Sequence, residues 1–336
     1  MTVVGGRWHA TPATPDHRWV IVLAGGDGTR LSALTRNERG EVVPKQYCSF
    51  RGQRSLLASA IERAAALAPR DQILIVVAQQ HEALWRSELA DFDRAQIVVQ
   101  PGNRGTAAGV LLPLSVVLER DPEANVTLMP SDHFVADESR LAQTLQAGQR
   151  RAAIEHKHAY LVGIEPDHAE PDYGWILPKG RPTAVDCSDA AFSVASFVEK
   201  PERRAAAVLW TGGAVWNSFL MIAQGAALKA LFEKRLPSLV TDFARCKPHE
   251  SARQAERLYR DLPSRDFSRD VLEGSVPDLR VLIAPACGWT DLGTPERLLQ
   301  CLREWSIDAG GSPKPPLRVP MRMTRSMPRT DLESIG

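Results

Sequence analysis

Trp19-Val20-Ile21-Val22-Leu23-Ala24-Gly25-Gly26-Asp27-Gly28-Thr29-Arg30 decides the fold. Its first six residues form an unbroken apolar run, short and rich in β-branched side chains, which predicts a strand buried on both faces of a parallel sheet. The run stops at a turn with three glycines in four positions. Such a turn permits positive φ and lets main-chain N–H groups point inward at a ligand lying against the backbone. Arg30 and, further on, Lys45 add two cations. A strand feeding such a loop suits a polyphosphate. Two familiar phosphate loops fit it badly. A dinucleotide fingerprint needs a third glycine at the start of a packed helix, and here the chain continues through Leu31 into the polar Thr35-Arg36-Asn37-Glu38-Arg39-Gly40-Glu41. A P-loop needs Gly-Lys, and the chain contains no such pair.

The chain of 336 residues can bury a large core. Its 41 basic residues against 40 acidic ones give no field for gathering nucleic acid. Five scattered cysteines (Cys48, Cys187, Cys246, Cys287, Cys301) show no zinc spacing and predict reduced, buried thiols. No apolar stretch approaches membrane-spanning length and no apolar leader opens the chain, so a soluble, cytoplasmic protein without a membrane partner is expected. Nothing in the sequence specifies an oligomeric state.

Strand–helix alternation follows from the opening strand. A helix is predicted over Ser55 to Leu67, a strand over Ile73 to Val77 and a helix over Gln80 to Leu89. A strand over Ile97 to Val99, a helix ending at Leu118 and a strand over Val126 to Met129 come next. The alternation predicts an α/β, Rossmann-like, mostly parallel sheet with helices on both faces, ligands lying beyond the carboxyl ends of its strands. From Ala159 the rhythm changes to short strands (Tyr160 to Ile164, Phe192 to Val198, Phe219 to Ile222, Arg280 to Ile283) with helices at Gly225 to Leu236 and Glu250 to Tyr259. This second half is expected to cover the open side of the sheet, closed by a helix from Pro295 to Trp305. Residues 1–17 are expected to be a flexible lead-in, 18–306 one domain and 307–336 a disordered tail.

Polar motifs stand at the expected strand ends. Asp132, in Met129-Pro130-Ser131-Asp132-His133, is placed to hold a hard cation against phosphate oxygens. Gln100-Pro101-Gly102-Asn103-Arg104-Gly105-Thr106 offers amides and N–H groups that suit reading of a base edge, and Thr106 equally suits a helix cap.

Leu-Ala-Gly-Gly-x-Gly-Thr-Arg-Leu followed by Pro44-Lys45-Gln46 resembles the sugar-1-phosphate nucleotidyltransferases, most closely the mannose-1-phosphate guanylyltransferases. The resemblance runs from Trp19 to Arg303 through six motifs in order. It implies the nucleotide-diphospho-sugar transferase fold with a sugar-binding second half, an NTP (GTP) and a hexose-1-phosphate (mannose-1-phosphate) as substrates, and Mg²⁺ as cofactor. Leu23, Ala24, Gly25, Gly26, Gly28, Thr29, Arg30 and Lys45, with Gln100, Asn103, Arg104, Gly105 and Thr106, are then nucleotide-binding, and Arg30, Lys45 and Asp132 catalytic. Asp132 and Asp291, in Trp289-Thr290-Asp291-Leu292-Gly293, match the family's metal ligands. Gly174 in Tyr173-Gly174-Trp175-Ile176, Glu199 and Lys200 in Val198-Glu199-Lys200-Pro201, and Asn217 in Trp216-Asn217-Ser218 match its sugar-phosphate ligands. Asp266 to Glu273 matches a helix near the sugar pocket.

The chain departs from the family at five places, one being Arg265, which stands before Asp266 in place of an Ile. Gly105 replaces an Asn, Ala33 replaces a Pro, the loop between Arg30 and Lys45 is longer, and Phe219 follows Ser218 where a Gly is usual. Bifunctional members of the family carry a further isomerase domain, which is not expected within these 336 residues. The alternative function is a catalytically inactive relative that senses nucleotide or nucleotide sugar.

Overall fold

The computed structural model describes residues 16–37, 39–50, 54–180 and 190–306. β1 (Arg18–Ala24) pairs in parallel with β2 (Ile73–Ala78) on one edge and β4 (Asn125–Pro130) on the other, and β3 (Ile97–Gln100) extends the sheet beyond β2. Burial on both faces explains the apolar run. Trp19 and Ile21 belong to one core cluster, and Val20 and Val22 to the cluster on the opposite face. The first face packs under α3 (Gly105–Arg120), the second under α1 (Leu56–Ala65) and α4 (Glu138–Ile154). Ser55 caps α1 by accepting the Ala58 N–H (2.9 Å), and Asp137 caps α4 by accepting that of Arg140 (3.2 Å).

The second half differs from expectation. It prolongs the sheet instead of covering its open side, giving the order β3-β2-β1-β4-β8-β5-β9-β7-β6. β8 (Val215–Gln224) makes the join: its later residues run antiparallel to β4, while Val215 and Trp216 pair with β6 (Gly174–Pro178). β5 (Ala159–Ile164) lies along its other edge, followed by β9 (Leu279–Ala284) and β7 (Ala191–Glu199). The sheet is therefore parallel through the first four strands and between β5 and β9, and antiparallel elsewhere. Because β6 also returns to β8, the five strands of the second half curl into a closed ring.

α2 (Glu82–Glu88), α5 (Arg203–Thr211), α6 (Gly225–Arg235), α7 (Pro237–Cys246), α8 (Ala252–Asp261) and α9 (Pro295–Ser306) complete the described helices. Among the described residues no helix is long and apolar enough to cross a membrane. The expected tail and all but Asp16 and His17 of the expected lead-in lie outside the described residues, as does Cys187. His17 is already anchored, its Nδ1 2.9 Å from Asp121 Oδ1.

Candidate functional site

The carboxyl end of β1 sets the geometry. Gly25 and Gly26 leave the strand, and Gln46 clamps the turn by donating from Nε2 to the carbonyls of Ala24 (3.2 Å) and Gly26 (2.7 Å). Gly28 takes φ +62°, and a Cβ there would lie 3.0 Å from the Lys45 nitrogen. Around Gly26 nothing stands within 4 Å of where a side chain would begin, so the turn presents an open face. Arg30 is exposed in the short 3-10 turn Thr29–Leu31 that follows. Asp27 turns its carboxylate outward, accepting from Gln80 Nε2 (2.8 Å) and Asn103 Nδ2 (3.2 Å).

Lys45 is buried. Its ammonium lies 3.0 Å from Asp132 Oδ2 and donates to the main-chain carbonyl of Asp291 (2.5 Å). Ser131 ties this segment to β1, donating from both N and Oγ to the Leu23 carbonyl. Phe134 and Thr290 exchange main-chain hydrogen bonds of 2.9 and 3.0 Å, an isolated antiparallel bridge that brings the Asp132 and Asp291 segments side by side. The two acids, 159 positions apart in the sequence, thus share one end of the sheet with the glycine turn.

Their surroundings differ. Burial alone would raise the Asp132 carboxyl, but the Lys45 ammonium beside it, with His133, holds it below its ordinary value. Its Oδ1 faces His133 Nε2 at 3.7 Å, beyond hydrogen-bond reach. Burial pushes His133 down to about 4, so the ring is neutral at pH 7. Its Nδ1 accepts from Trp289 Nε1 (3.3 Å), which leaves the proton on Nε2. The Asp291 carboxylate is more heavily engaged. Oδ1 accepts from Tyr173 Oη (2.9 Å) and Gly293 N (2.8 Å), and Arg297 Nε lies 3.1 Å away, while among the described residues Oδ2 meets the 3.5 Å approach of Arg297. Glu170 holds that arginine from behind at 2.8 Å.

Gln100 and Asn103 lie against the glycine turn, while other side chains of residues 100–106 are engaged elsewhere in the protein. Gln100 is buried between the sites of Gly25 and Gly109 and donates to Tyr259 Oη (3.2 Å), so it braces the turn from beneath. The Arg104 guanidinium donates to the carbonyls of Tyr259 and Arg260 at the end of α8. Thr106 is not the helix cap. Its Oγ1 accepts the Phe267 N–H (2.7 Å), and Asn103 Oδ1 accepts from Gly105 N (3.0 Å). Gly105 has φ +78°, and a Cβ there would lie 2.8 Å from both N and C of Arg265 and closer still to its carbonyl. That contact gives the physical reason for glycine where relatives carry Asn.

Gly174, Glu199 and Asn217, the residues that the resemblance matches to sugar-phosphate ligands, converge. Gly174 faces Glu199 across β6–β7, and a Cβ on it would meet Glu199 Oε2 at 2.6 Å and the Asn217 Cβ at 3.1 Å. Burial raises Glu199 to about 7; Lys200 opposes this, while Asp266 and Glu273 add to it. Lys200 is half-exposed, with its ammonium 3.7 Å from Glu199 Oε1. Asn217 Oδ1 accepts the Phe219 N–H (3.2 Å) and fixes a kink in β8. Phe219 adopts φ +61° at the place where relatives have Gly, stacked edge-on to Phe267 at 6.0 Å. Of the four non-glycine residues with positive φ among those described, Lys200, Phe219 and Leu292 adjoin these site residues. Backbone strain collects here, as it does around binding sites.

Sequence reasoning missed Gln46 as the clamp, Tyr173, Arg297 and Glu170 as supports of Asp291, and residues 259–267 as the platform under the base-reading segment. Gln46 left a signal as the third residue of Pro44-Lys45-Gln46, Tyr173 as the first of Tyr173-Gly174-Trp175-Ile176, and Asp266 and Phe267 as the start of the segment matched to a helix near the sugar pocket, while Glu170 and Arg297 left none.

A model of the nucleotidyl transferase family matches residues 19–306. Mannose-1-phosphate guanylyltransferases of Salmonella typhimurium and Escherichia coli K12 are each 27% identical to this chain, over 82% and 86% of it and 56% and 59% of their own lengths. The alginate biosynthesis protein AlgA of Pseudomonas fluorescens is 25% identical over 81% of this chain and 56% of its own. The chain thus spans a little over half the length of the curated relatives it matches. Among solved structures, the "mannose-1-phosphate geranyltransferase" of Thermus thermophilus superposes with a TM-score of 0.71 at 27% identity, over 84% of this chain and 79% of that one. The inositol-1-phosphate CTP transferase of T. maritima shares the fold at a TM-score of 0.53 and 14% identity, over 86% of this chain and 96% of its own. The architecture is that of the nucleotide-diphospho-sugar transferases, and the chain belongs to the nucleotidyl transferase family.

Proposed function

We propose that this chain transfers a nucleotidyl group from GTP to mannose-1-phosphate, giving a nucleotide sugar and pyrophosphate. One observation carries the reading: a glycine turn with an open face, Lys45 and Asp132 share one end of the sheet with the Gly174, Glu199 and Asn217 pocket, and Tyr173 joins the two. The choice of base and sugar follows the relatives' names.

The reaction is a direct displacement. A phosphate oxygen of the sugar phosphate forms a bond to the α-phosphorus, and the bond from that phosphorus to the β-phosphate bridge breaks with its electron pair on pyrophosphate. The nucleophile is already anionic, so no general base is needed, and positioning with charge neutralisation supplies the acceleration. The turn's N–H groups and Arg30 hold the triphosphate. Lys45 offers positive charge beside it, Lys200 screens the incoming phosphate, and Glu199 and Asn217 take the sugar hydroxyls. Hard carboxylates beyond a strand end fit Mg²⁺, which takes one or two of them plus substrate oxygens. Asp132 is the freer ligand and Asp291 offers Oδ2; the ion, when bound, neutralises charge on the phosphates. The product is an activated sugar of the kind consumed in polysaccharide assembly.

A second reading, a nucleotide-sugar sensor, draws on the engagement of Arg104 and Thr106 within the protein. Four NTPs tested against several hexose-1-phosphates with Mg²⁺, with pyrophosphate as the readout, decide between them. Release with GTP and mannose-1-phosphate supports the transferase. Tight nucleotide-sugar binding with silence across the whole panel supports the sensor.

A further inference from the structure

Tyr173 stands where the two halves of the site meet. Its hydroxyl donates to Asp291 Oδ1 (2.9 Å), and its main-chain carbonyl accepts the Lys200 N–H (3.2 Å). The next residue is Gly174, which Glu199 and Asn217 enclose. The ring is fixed on several sides. Trp216, the neighbour of Asn217, meets it edge-on at 5.0 Å, Trp289 lies at 5.5 Å, and the Arg297 guanidinium sits 4.6 Å over its face, held by Glu170.

A ring enclosed in this way has little freedom to rotate independently. A displacement of the β6–β7 end would reach the Asp291 carboxylate directly through the Tyr173 O–H···O contact, beside the indirect route through the Arg297 guanidinium. Packing alone does not require the hydroxyl, since phenylalanine would fill the same space.

We infer that Tyr173 is a positioning residue that couples occupancy of the sugar-phosphate pocket to the Asp291 carboxylate, so that divalent-ion affinity and sugar-phosphate affinity depend on each other. This rests on the nucleotidyl-transfer reading above. Coupling of this kind is reciprocal: whatever factor one ligand imposes on the other is returned in full.

Tyr173→Phe keeps the ring and its neighbours and removes only the hydroxyl. The test uses Mn²⁺ with the non-cleavable analogue α,β-methylene-GTP, free Mn²⁺ being counted by electron paramagnetic resonance with and without mannose-1-phosphate. In the wild type, mannose-1-phosphate is expected to change the Mn²⁺ dissociation constant by about fivefold or more, the lower end of ordinary allosteric coupling. In Tyr173→Phe that ratio should fall to within about twofold of one. The reverse titration, mannose-1-phosphate followed by the fluorescence of Trp216 and Trp289 with and without Mn²⁺, should give the same factor. An unchanged ratio in the variant, or a ratio of one in the wild type, overturns the inference. Failure of the functional reading shows elsewhere, as a wild type that releases no pyrophosphate, so the two failures are distinguishable.

Discussion

Replacing Gly105 by alanine tests whether the base-reading segment is a fitted part of the fold. Two costs follow from its geometry. Holding an L-residue at φ +78° costs about 1–2 kcal/mol. A Cβ 2.8 Å from the Arg265 N and C, and nearer its carbonyl, forces the main chain at 265 to move, which costs about 1–3 kcal/mol more. The neighbours have little room to yield. Ala107 N donates to that same Arg265 carbonyl (3.0 Å), and Arg265 N donates to Arg104 O (3.2 Å). The sum is about 2–5 kcal/mol, which for a chain of this size lowers the melting temperature by roughly 3–8 °C. Differential scanning calorimetry reads it. Gly105→Asn tolerates left-handed backbone better and should recover only the conformational share. Gly26→Ala is the control: with nothing within 4 Å of the new methyl, stability should stay within about 0.5 kcal/mol of wild type, while the KM for the NTP rises. A Gly105→Ala protein that melts with the wild type would refute the packing of residues 104–107 on 265–267.

Other consequences follow from the same geometry. Arg104→Ala should cost about 1–2 kcal/mol, because two carbonyls at the end of α8 lose their donor, yet leave the ranking of the four NTPs unchanged; calorimetry and the substrate panel read the two halves. Glu199, raised from 4.5 to about 7, favours folding while protonated, and that contribution is lost as the pH rises through about 7. Wild type should therefore lose stability relative to Glu199→Gln across that range. The KM for mannose-1-phosphate should fall over the same interval, since the ionised carboxylate is the better acceptor, and Glu199→Gln should flatten that profile.

Local chemistry made the first half legible. The apolar run of β1, the glycine turn and Asp132 all report their environment directly, because a strand buried on both faces excludes polar residues and a ligand turn requires glycine. The second half was harder to read. β6 is short and β8 is kinked at Phe219, a residue whose identity conceals its positive φ. The closing of β6 onto β8 depends on pairings between distant segments, which no local period encodes. The supports of Asp291 were hidden for a related reason. Tyr173, Glu170 and Arg297 read singly as ordinary surface or core residues, and their role exists only once the Phe134–Thr290 bridge and α9 bring them together. The departures Gly105 and Phe219 were visible in the sequence, but their cause lay in residues 265–267.

The most direct test of the account compares pyrophosphate release from GTP and mannose-1-phosphate by wild type and Asp132→Asn, with cooperative melting of both proteins recorded beside it. Asn keeps the shape and removes the charge that faces Lys45. The account predicts one pyrophosphate per nucleotide sugar from the wild type and a rate lower by about a hundredfold or more from a still-folded variant. Equal rates from the two proteins, or a wild type that binds GTP and never releases pyrophosphate, would contradict it.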